Sequence, residues 1–308
     1  MPEISIITPY YNGRRHIEET LRSVRAQVFA DWEHIIVDDG STDDAAGLLA
    51  AYAKGDPRLR VVAQENGGVA AARNRGYAEA HPAARYVLFL DQDDLLHPDM
   101  LLTLRALLDG RSDLVGAYAL SHGLGSAGDL RVGMVEACSL GRRGVVGGGL
   151  VAWPAHQPTT LAVLAFCNCI FSPGQVLIRR SSLDLVGEFD PSTCPADDYD
   201  MWIRLSRHGD LGFVDRALFF YRLHDSNASR DISRMHRMER AVRRKQRSSP
   251  ENTPEQRALL AAGYRLSQRR TGLAKLRDGA REASQGHLRA AGLNLCYGSA
   301  HLLRCLFE

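Results

Sequence analysis

Short apolar runs alternate with amphipathic stretches through the first 120 residues of the chain. The apolar runs predict strands at 4–9, 33–40, 58–64, 85–91 and 113–120. The stretches between them predict helices, the first with Ile17, Leu21, Val24 and Val28 on one face, the others at about 43–53, 68–80 and 98–108. Strands separated by helices of this length predict parallel βαβ units, in which helices cover both faces of one sheet.

The alternation stops after residue 120. Residues 121–160 include the glycine-rich stretch "GRRGVVGGGL", which predicts a flexible loop or a short hairpin. A strand with a short helix follows at 174–189. A helix is then predicted over 197–209 with Gly209 as its C-cap, and a strand over 211–224.

From Ser233 onward the pattern is helical and polar, with an interruption at "SSPENTP", which predicts an appendage of two or three helices. We therefore divide the chain into a domain at 1–232, with halves 1–120 and 121–232, and a helical extension at 233–308. The final stretch "LNLCYGSAHLLRCLF" is apolar and predicts a helix that packs on the core. A homodimer contact or a peripheral contact with the inner membrane face are the alternatives.

Composition and charge exclude several classes of protein. Of the 308 residues, 45% are hydrophobic and 24% are charged, which is enough apolar material for a packed core and argues against disorder. The net charge of +2 does not indicate a nucleic-acid-binding protein. The basic stretch "RMHRMERAVRRKQR" at 234–247 is interpreted as a solvated helix face.

The cysteines and the start of the chain indicate a cytoplasmic protein. The six cysteines form no CxxC pair and have no zinc-ligand spacing, which favours reduced thiols. The chain begins directly with a strand pattern, without the features of a signal peptide.

Polar residues follow four of the predicted strands at the point where each strand ends. In an open α/β sheet the ligand crevice lies beyond the carboxyl ends of the strands, so these residues predict one shared pocket. They are Thr8, Pro9 and Tyr10, then Asp38 and Asp39, then 64–66, then 91–94.

The acidic stretch "LDQDD" at 90–94 predicts a metal site. Alternate carboxylates of a DxD element point the same way if the strand continues. Mg²⁺ and Mn²⁺ prefer oxygen ligands and often keep phosphate oxygens as co-ligands. A lone DxD also fits an ordinary turn, and the prediction depends on its place after the fourth strand.

Two further stretches have both a functional and a structural interpretation. In "VDDGSTDD" at 37–44 an aspartate could accept a ring N–H of a uracil-like base, although a turn with a helix N-cap explains most of these residues. In "ENGGVAAARNRG" at 65–76 the glycines permit close backbone approach, and Arg73 is predicted either to contact phosphate or ribose or to form a surface ion pair.

These stretches together resemble family 2 glycosyltransferases with the GT-A fold. The resemblance runs in the family's order over roughly residues 3–225, from "SIITPYYNGRRHIEETLRSV" through "VDDGSTD", "ENGGVAAARNRG", "LFLDQDD" and "GQVLIRRSSLDLVGEFD" to "DDYDMWIRL" and "YRLH". It implies a Rossmann-like, mainly parallel sheet flanked by helices. It also implies inverting, metal-dependent transfer of a sugar from a UDP- or dTDP-sugar to an acceptor hydroxyl.

The resemblance implies roles for residues of the nucleotide site. Thr8, Pro9 and Tyr10 would cradle the base, and Asp39 would contact its ring nitrogen. Arg73 would help to hold the nucleotide, and Asp91 would lie near the ribose.

It implies roles for the metal and the catalytic base as well. Asp93 would ligate Mn²⁺ or Mg²⁺ bridging the diphosphate, and His224 would reach the metal or the diphosphate. The catalytic base would come from the pair Asp197–Asp198. We favour Asp198, while a helix N-cap carboxylate is the structural alternative for either residue.

Two other classes of protein are weighed against this hypothesis. A sugar nucleotidyltransferase would carry a glycine-rich basic loop after its first strand, and "TPYYNGRR" has one glycine there. A non-catalytic sugar-nucleotide-binding protein would need no catalytic base. The sequence does not distinguish among sugar, lipid-linked and small-molecule acceptors.

Overall fold

Strands and helices alternate along the first third of the chain. The computed structural model describes residues 1–124, 130–131, 142–225, 227 and 231–307. Its strands are β1 Ile4–Tyr10, β2 Trp32–Asp38, β3 Leu59–Ala63, β4 Tyr86–Phe89, β5 Leu95–Leu96, β6 Leu114–Leu124, β7 Leu130–Arg131, β8 Arg143–Val146, β9 Gly149–Ala152, β10 Val176–Arg179 and β11 Asp210–Arg222. Its α-helices are α1 Ile17–Arg25, α2 Ala46–Gly55, α3 Val69–Glu79, α4 Met100–Gly110, α5 Leu161–Phe166, α6 Arg180–Val186, α7 Asp197–Leu205, α8 Ile232–Arg247, α9 Pro254–Ser284 and α10 Leu288–Phe307.

One mixed sheet organises the fold, in the order β3-β2-β1-β4-β10-β6-β11-β5, with β7 paired to β6. The strands β3, β2, β1 and β4 are mutually parallel, whereas β10 runs antiparallel to both of its neighbours. The strand order reverses at β1, which has β2 on one side and β4 on the other. A sheet of this kind has its ligand crevice at such a reversal, beyond the carboxyl ends of the strands. The predicted α/β fold, with a mainly parallel sheet and C-terminal helices, is confirmed.

Two helix ends differ from the prediction. Helix α1 ends at Arg25, so Val28 lies beyond it and is 59% exposed, while Ile17, Leu21 and Val24 are buried. Ser206, not Gly209, is the C-cap of α7. Gly209 is needed for a different reason, since a Cβ there would lie 2.7 Å from the Val115 side chain.

The glycine-rich region contains the predicted hairpin. Strands β8 and β9 pair antiparallel, and Gly147 and Gly148 form their turn with φ of +56° and +80°. Residues 125–129 and 132–141 lie outside the described part of the chain. The sequence did not predict α5, whose N-cap is Thr160. All six residues of "LAVLAF" are apolar and most are fully buried, so the segment has no polar face to mark a helical period.

Helix α3 packs closely on β1 because of a glycine. A Cβ at position 76 would collide with Ile7 Cγ2 and would lie 3.2 Å from Val37 Cγ2. The neighbouring residues Ala70 and Ala72 are small and buried. This close approach brings Arg73, on the same helix, to the end of the sheet.

The C-terminal helices begin by packing on the core. Val242 of α8 is fully buried, and Leu260 and Tyr264 of α9 are almost fully buried. Helix α10 is confirmed as a helix and lies along α9, where a Cβ at Gly298 would be 2.9 Å from the Gly272 carbonyl oxygen. Leu293 and Tyr297 are 60% and 59% exposed, so core packing does not hold for this part of α10.

The remaining predictions for the extension stay predictions, namely the domain division at 232 and a partner or membrane contact. None of the helices in the described ranges is long and apolar enough to cross a membrane.

The packing of α3 on β1 predicts that Gly76→Ala lowers the free energy of unfolding by about 1–3 kcal/mol, because the added methyl group forces the helix away from Ile7. The matched control is Gly47→Ala in α2, where the added methyl group would meet nothing within 4 Å. We expect this control to be neutral or to stabilise by up to about 1 kcal/mol. Urea unfolding of both variants measures the difference, and equal effects would contradict the packing argument.

Candidate active site

A cavity of about 770 Å³ opens at the carboxyl ends of β1, β2 and β4. It is lined from the strand ends by Pro9, Tyr10, Asp39, Asp91 and Asp93, from α3 by Arg73, from α7 by Asp197 and Asp198, and beyond β11 by His224. The predicted site residues thus lie in one place, except for the side chain of Thr8.

Thr8 turns its side chain into the core. Its hydroxyl lies 2.8 Å from His34 Nε2, and both residues are fully buried. Burial lowers the pKa of His34 to about 3, so the imidazole is neutral at physiological pH. Thr8 is not among the residues that line the cavity, whereas Pro9 and Tyr10 are.

Asp39 organises the loop that follows β3. Its carboxylate accepts hydrogen bonds from Gln64 Nε2 at 2.7 Å, from the Gly67 amide at 2.8 Å and from the Gly68 amide at 2.9 Å. Gly68 has φ of +86°, a conformation that favours glycine, and it precedes the first turn of α3. Asp39 therefore shapes the wall of the cavity, and any contact with a base has to use its remaining acceptor capacity.

A buried arginine joins two of the predicted acids. Arg73 donates from Nη1 to Asp197 at 2.6 Å and from Nη2 to Asp91 at 2.7 Å, with 5% of its side chain exposed. Burial opposes the charge, but the carboxylates of Asp91 and Asp197 outweigh it and raise the pKa of the guanidinium. The interpretation of Arg73 as a surface ion pair is wrong, since its pairs are internal.

Asp198 has surroundings different from those of its neighbour Asp197. Burial and the nearby Asp197 carboxylate raise the pKa of Asp198 well above the ordinary value of 3.8. Its Oδ1 accepts a hydrogen bond from the Tyr199 amide at 2.6 Å. A buried carboxyl with a raised pKa that faces a cavity is typical of groups that exchange protons during catalysis.

Asp93 and His224 form the pair expected to bind a metal. His224 Nε2 lies 2.7 Å from Asp93 Oδ2, and the two side chains are 15% and 18% exposed. Among the described residues, no group of three or more His, Cys, Asp or Glu side chains is arranged to hold a metal ion. One carboxylate and one imidazole fit a cation that takes its other ligands from water and phosphate oxygens, as Mg²⁺ and Mn²⁺ commonly do.

Asp94 holds the end of the acidic loop in place. It is 1% exposed and accepts hydrogen bonds from Ser172 Oγ at 3.1 Å and from the Arg222 amide at 3.0 Å. Burial, together with the charges of Asp93 and Asp91, raises its pKa well above the ordinary value. Asp94 therefore connects the loop after β4 to the end of β11, from which His224 follows.

The sequence did not identify Gln92 and Asn12 as site residues. Gln92 accepts a hydrogen bond from the Tyr11 amide at 2.8 Å and donates one to the Tyr11 carbonyl at 3.1 Å. Asn12, with φ of +48°, accepts from the Thr42 amide at 2.8 Å. Gln92 is the middle residue of the DxD element and Asn12 precedes a glycine. Neither sequence pattern predicts which residue the side chain will contact.

Two residues of the C-terminal extension also line the cavity, namely Met235 and Glu239 of α8. The sequence interpretation of 234–247 as a solvated basic face missed them. They lie four residues apart and therefore share one face of the helix. This spacing could be recognised in the sequence.

Comparisons with known proteins agree with this geometry. The sequence model of the family described as "Glycosyl transferase family 2" matches residues 5–184. TuaG of Bacillus subtilis is 48% identical over 101 residues, or 32% of this chain. Chondroitin synthase of Escherichia coli is 28% identical over 237 residues, or 74% of this chain. The matches cover 39% and 30% of the lengths of those two relatives.

Solved structures with the same fold contain bound nucleotide sugars. The mannosyltransferase PcManGT of Pyrobaculum calidifontis, in complex with GDP-Man and Mn²⁺, matches 99% of this chain and 87% of its own, with 19% identity and a TM-score of 0.68. Staphylococcus aureus TarS 1-349 in complex with UDP-GlcNAc matches 96% of this chain and 90% of its own, with 18% identity and a TM-score of 0.60. At this level of identity the likeness establishes the fold.

The buried ion pairs predict a large effect of removing Arg73. Arg73→Gln leaves the carboxylates of Asp91 and Asp197 without their cation, so we expect a loss of about 3–5 kcal/mol in the free energy of unfolding at neutral pH. Arg75→Gln is the control, since its ion pair with Glu79 is exposed and should contribute less than about 1 kcal/mol. Chemical unfolding at pH 7 measures both, and a loss below about 1 kcal/mol for Arg73→Gln would contradict the structural role.

Proposed function

Because the chain belongs to glycosyl transferase family 2, we propose that it transfers a sugar from a nucleoside diphosphate sugar to an acceptor hydroxyl, with inversion at the anomeric carbon. The observation that carries the proposal is the set of residues that line the cavity. The same cavity holds an Asp93–His224 pair fit for a divalent cation and a buried carboxyl, Asp198, fit to take a proton.

We propose that the donor binds along the ends of β1, β2 and β4. Pro9, Tyr10 and Asp39 would surround the base, and Arg73 and Asp91 would lie beside the ribose and the diphosphate. The donors bound to the structural relatives, UDP-GlcNAc and GDP-Man, support this donor class. The base predicted for this chain is uracil or thymine.

We propose that Asp93 and His224 hold Mn²⁺ or Mg²⁺. When bound, such an ion neutralises charge that develops on the departing diphosphate. Asp94, the residue after Asp93, accepts hydrogen bonds from Ser172 and from the Arg222 amide and so holds the loop that carries Asp93 in place. The Mn²⁺ bound to PcManGT supports a divalent cation in this fold.

We propose Asp198, not Asp197, as the general base. The Asp197 carboxylate forms a buried ion pair with Arg73 at 2.6 Å, so it already has a cationic partner. Asp198 has no such cationic partner among the described residues, and burial together with Asp197 raises its pKa. A carboxylate with a raised pKa is a stronger proton acceptor for the attacking hydroxyl.

The proposal is tested with a panel of UDP-glucose, UDP-N-acetylglucosamine, dTDP-rhamnose and GDP-mannose. With Mn²⁺ present, we expect at least one donor to raise the melting temperature, since a ligand that binds only the folded state stabilises it. The same donor should release its nucleoside diphosphate by slow hydrolysis. Failure of every donor to bind and to be cleaved would contradict the proposed function.

Asp198→Asn should lower transfer by about 10²- to 10⁴-fold while the donor still binds, because the amide cannot accept the proton. In the wild type, kcat/KM should rise with pH as Asp198 loses its proton, through a pKa above the ordinary 3.8, and this acid limb should be absent from the residual activity of the variant. Asp197→Asn is the comparison, since it should reduce stability by breaking the pair with Arg73. Transfer at the wild-type rate by Asp198→Asn would contradict the assignment.

Removal of divalent cations should abolish transfer, and addition of Mn²⁺ or Mg²⁺ should restore it. Asp93→Asn and His224→Gln should each raise the Mn²⁺ concentration needed for half-maximal activity by about tenfold or more, because each removes one of two protein ligands. Asp44→Asn, whose side chain is 89% exposed outside the cavity, serves as the control. Transfer that persists in excess EDTA would contradict the metal assignment.

A further inference from the structure

One wall of the cavity comes from outside the region that matches the family. Met235 and Glu239 of α8 line the cavity together with Asp198 of α7. The match to the family model ends at residue 184, and this wall lies beyond that point. It lines the same cavity as the proposed base Asp198.

Helix α8 is held firmly against the core just after Glu239. Val242 is fully buried, and Arg243 donates hydrogen bonds to the carbonyl oxygens of Ala165 and Phe166. Lys245 Nζ lies 2.8 Å from Asp200 Oδ1 in α7, the helix that also carries Asp198. The positions of Glu239 and Asp198 are therefore fixed relative to one another by buried contacts.

Glu239 of α8 lines the cavity. Among the described residues it has no hydrogen-bond or ion-pair partner, and its side chain is half-buried. Arg243, one turn further on, directs its guanidinium to main-chain carbonyls and over the Tyr199 ring at 5.1 Å. A half-buried carboxylate left unpaired beside a cavity is available to a ligand.

The charge of the cavity restricts that ligand. Of the described lining residues, Arg73 is the one Lys or Arg side chain, and Asp91 and Asp197 already neutralise it. Asp198 and Glu239 remain as acids on the side of α7 and α8. An acceptor with a negative charge near its reacting hydroxyl would be repelled there, whereas hydroxyl groups could donate hydrogen bonds to Glu239.

We infer that the acceptor binds between Asp198 and α8, with Glu239 accepting hydrogen bonds from its hydroxyls and Met235 packing on the apolar face of its ring. The site then selects an uncharged sugar over an anionic one. This inference rests on the proposed function and extends it to the acceptor class and to a specificity-determining residue.

The test uses the full chain with Mn²⁺ and the donor identified by the panel. The probes are two matched pairs of methyl β-glycosides, glucoside with glucuronide and galactoside with galacturonide, which differ in charge at C6. Each glycoside changes the rate of nucleoside diphosphate release, upward or downward, and the readout is the glycoside concentration that gives half of its maximal change. For each pair we take the ratio of the uronide concentration to that of the uncharged glycoside. Because both members are measured on the same variant, a change in that variant's donor hydrolysis does not affect the ratio.

We expect the uncharged member of at least one pair to act at a concentration at least fivefold lower than its uronide. Glu239→Gln should bring this ratio to within about twofold of one, and Glu239→Lys should reverse the preference. Asp278→Asn, which removes an equal charge from a half-exposed site in α9 outside the cavity, should leave the ratio unchanged.

Uronides that act as well as their uncharged partners on the wild type in both pairs, or a ratio that Glu239→Gln leaves unchanged, would overturn the inference. Donor hydrolysis that no glycoside alters up to about 100 mM, well above ordinary KM values, would overturn it too, while leaving the proposed function intact. Failure of every donor both to bind and to release its nucleoside diphosphate would overturn the proposed function and this inference together.

Discussion

The buried guanidinium of Arg73 is the group on which the site depends. It holds Asp91 at the end of β4 and Asp197 at the start of α7, residues that are far apart along the chain. Several carboxylates gathered at one edge of a sheet repel one another. The arginine lies within 2.7 Å of two of them, and its attraction to both offsets this repulsion. The close packing of α3 on β1, made possible by Gly76, places this cation at the end of the sheet.

The same arrangement separates the roles of neighbouring acids. Asp197 is committed to the arginine and Asp94 to a hydroxyl and a main-chain amide, so both act as supports. Asp93 is paired with a histidine at the cavity wall, and Asp198 is left buried with a raised pKa. Similar side chains thus acquire different properties from their partners. Helix α8 adds one more carboxylate, that of Glu239, to the lining of the cavity.

Much of the fold was predictable because its signals are local. Strand and helix periods gave the βαβ units, and the strand-end rule placed Pro9, Asp39, Asp91 and Asp93 at one crevice. Errors arose where no local signal exists. Helix α5 has no polar face, and α1 ends at Arg25 although the apolar stripe continues to Val28. The inward turn of Thr8 depends on a histidine in the neighbouring strand.

The sequence by itself determined the alternation of elements, the family and the set of acids that meet at the sheet edge, because hydrophobic period and motif spacing are properties of short segments. The tertiary structure decided which acid pairs with Arg73, which remains unpaired, and that a helix beyond residue 231 completes the cavity. Such pairings can join residues more than 100 positions apart, as for Arg73 and Asp197. Burial and charge act through space, and the order of residues along the chain does not specify them.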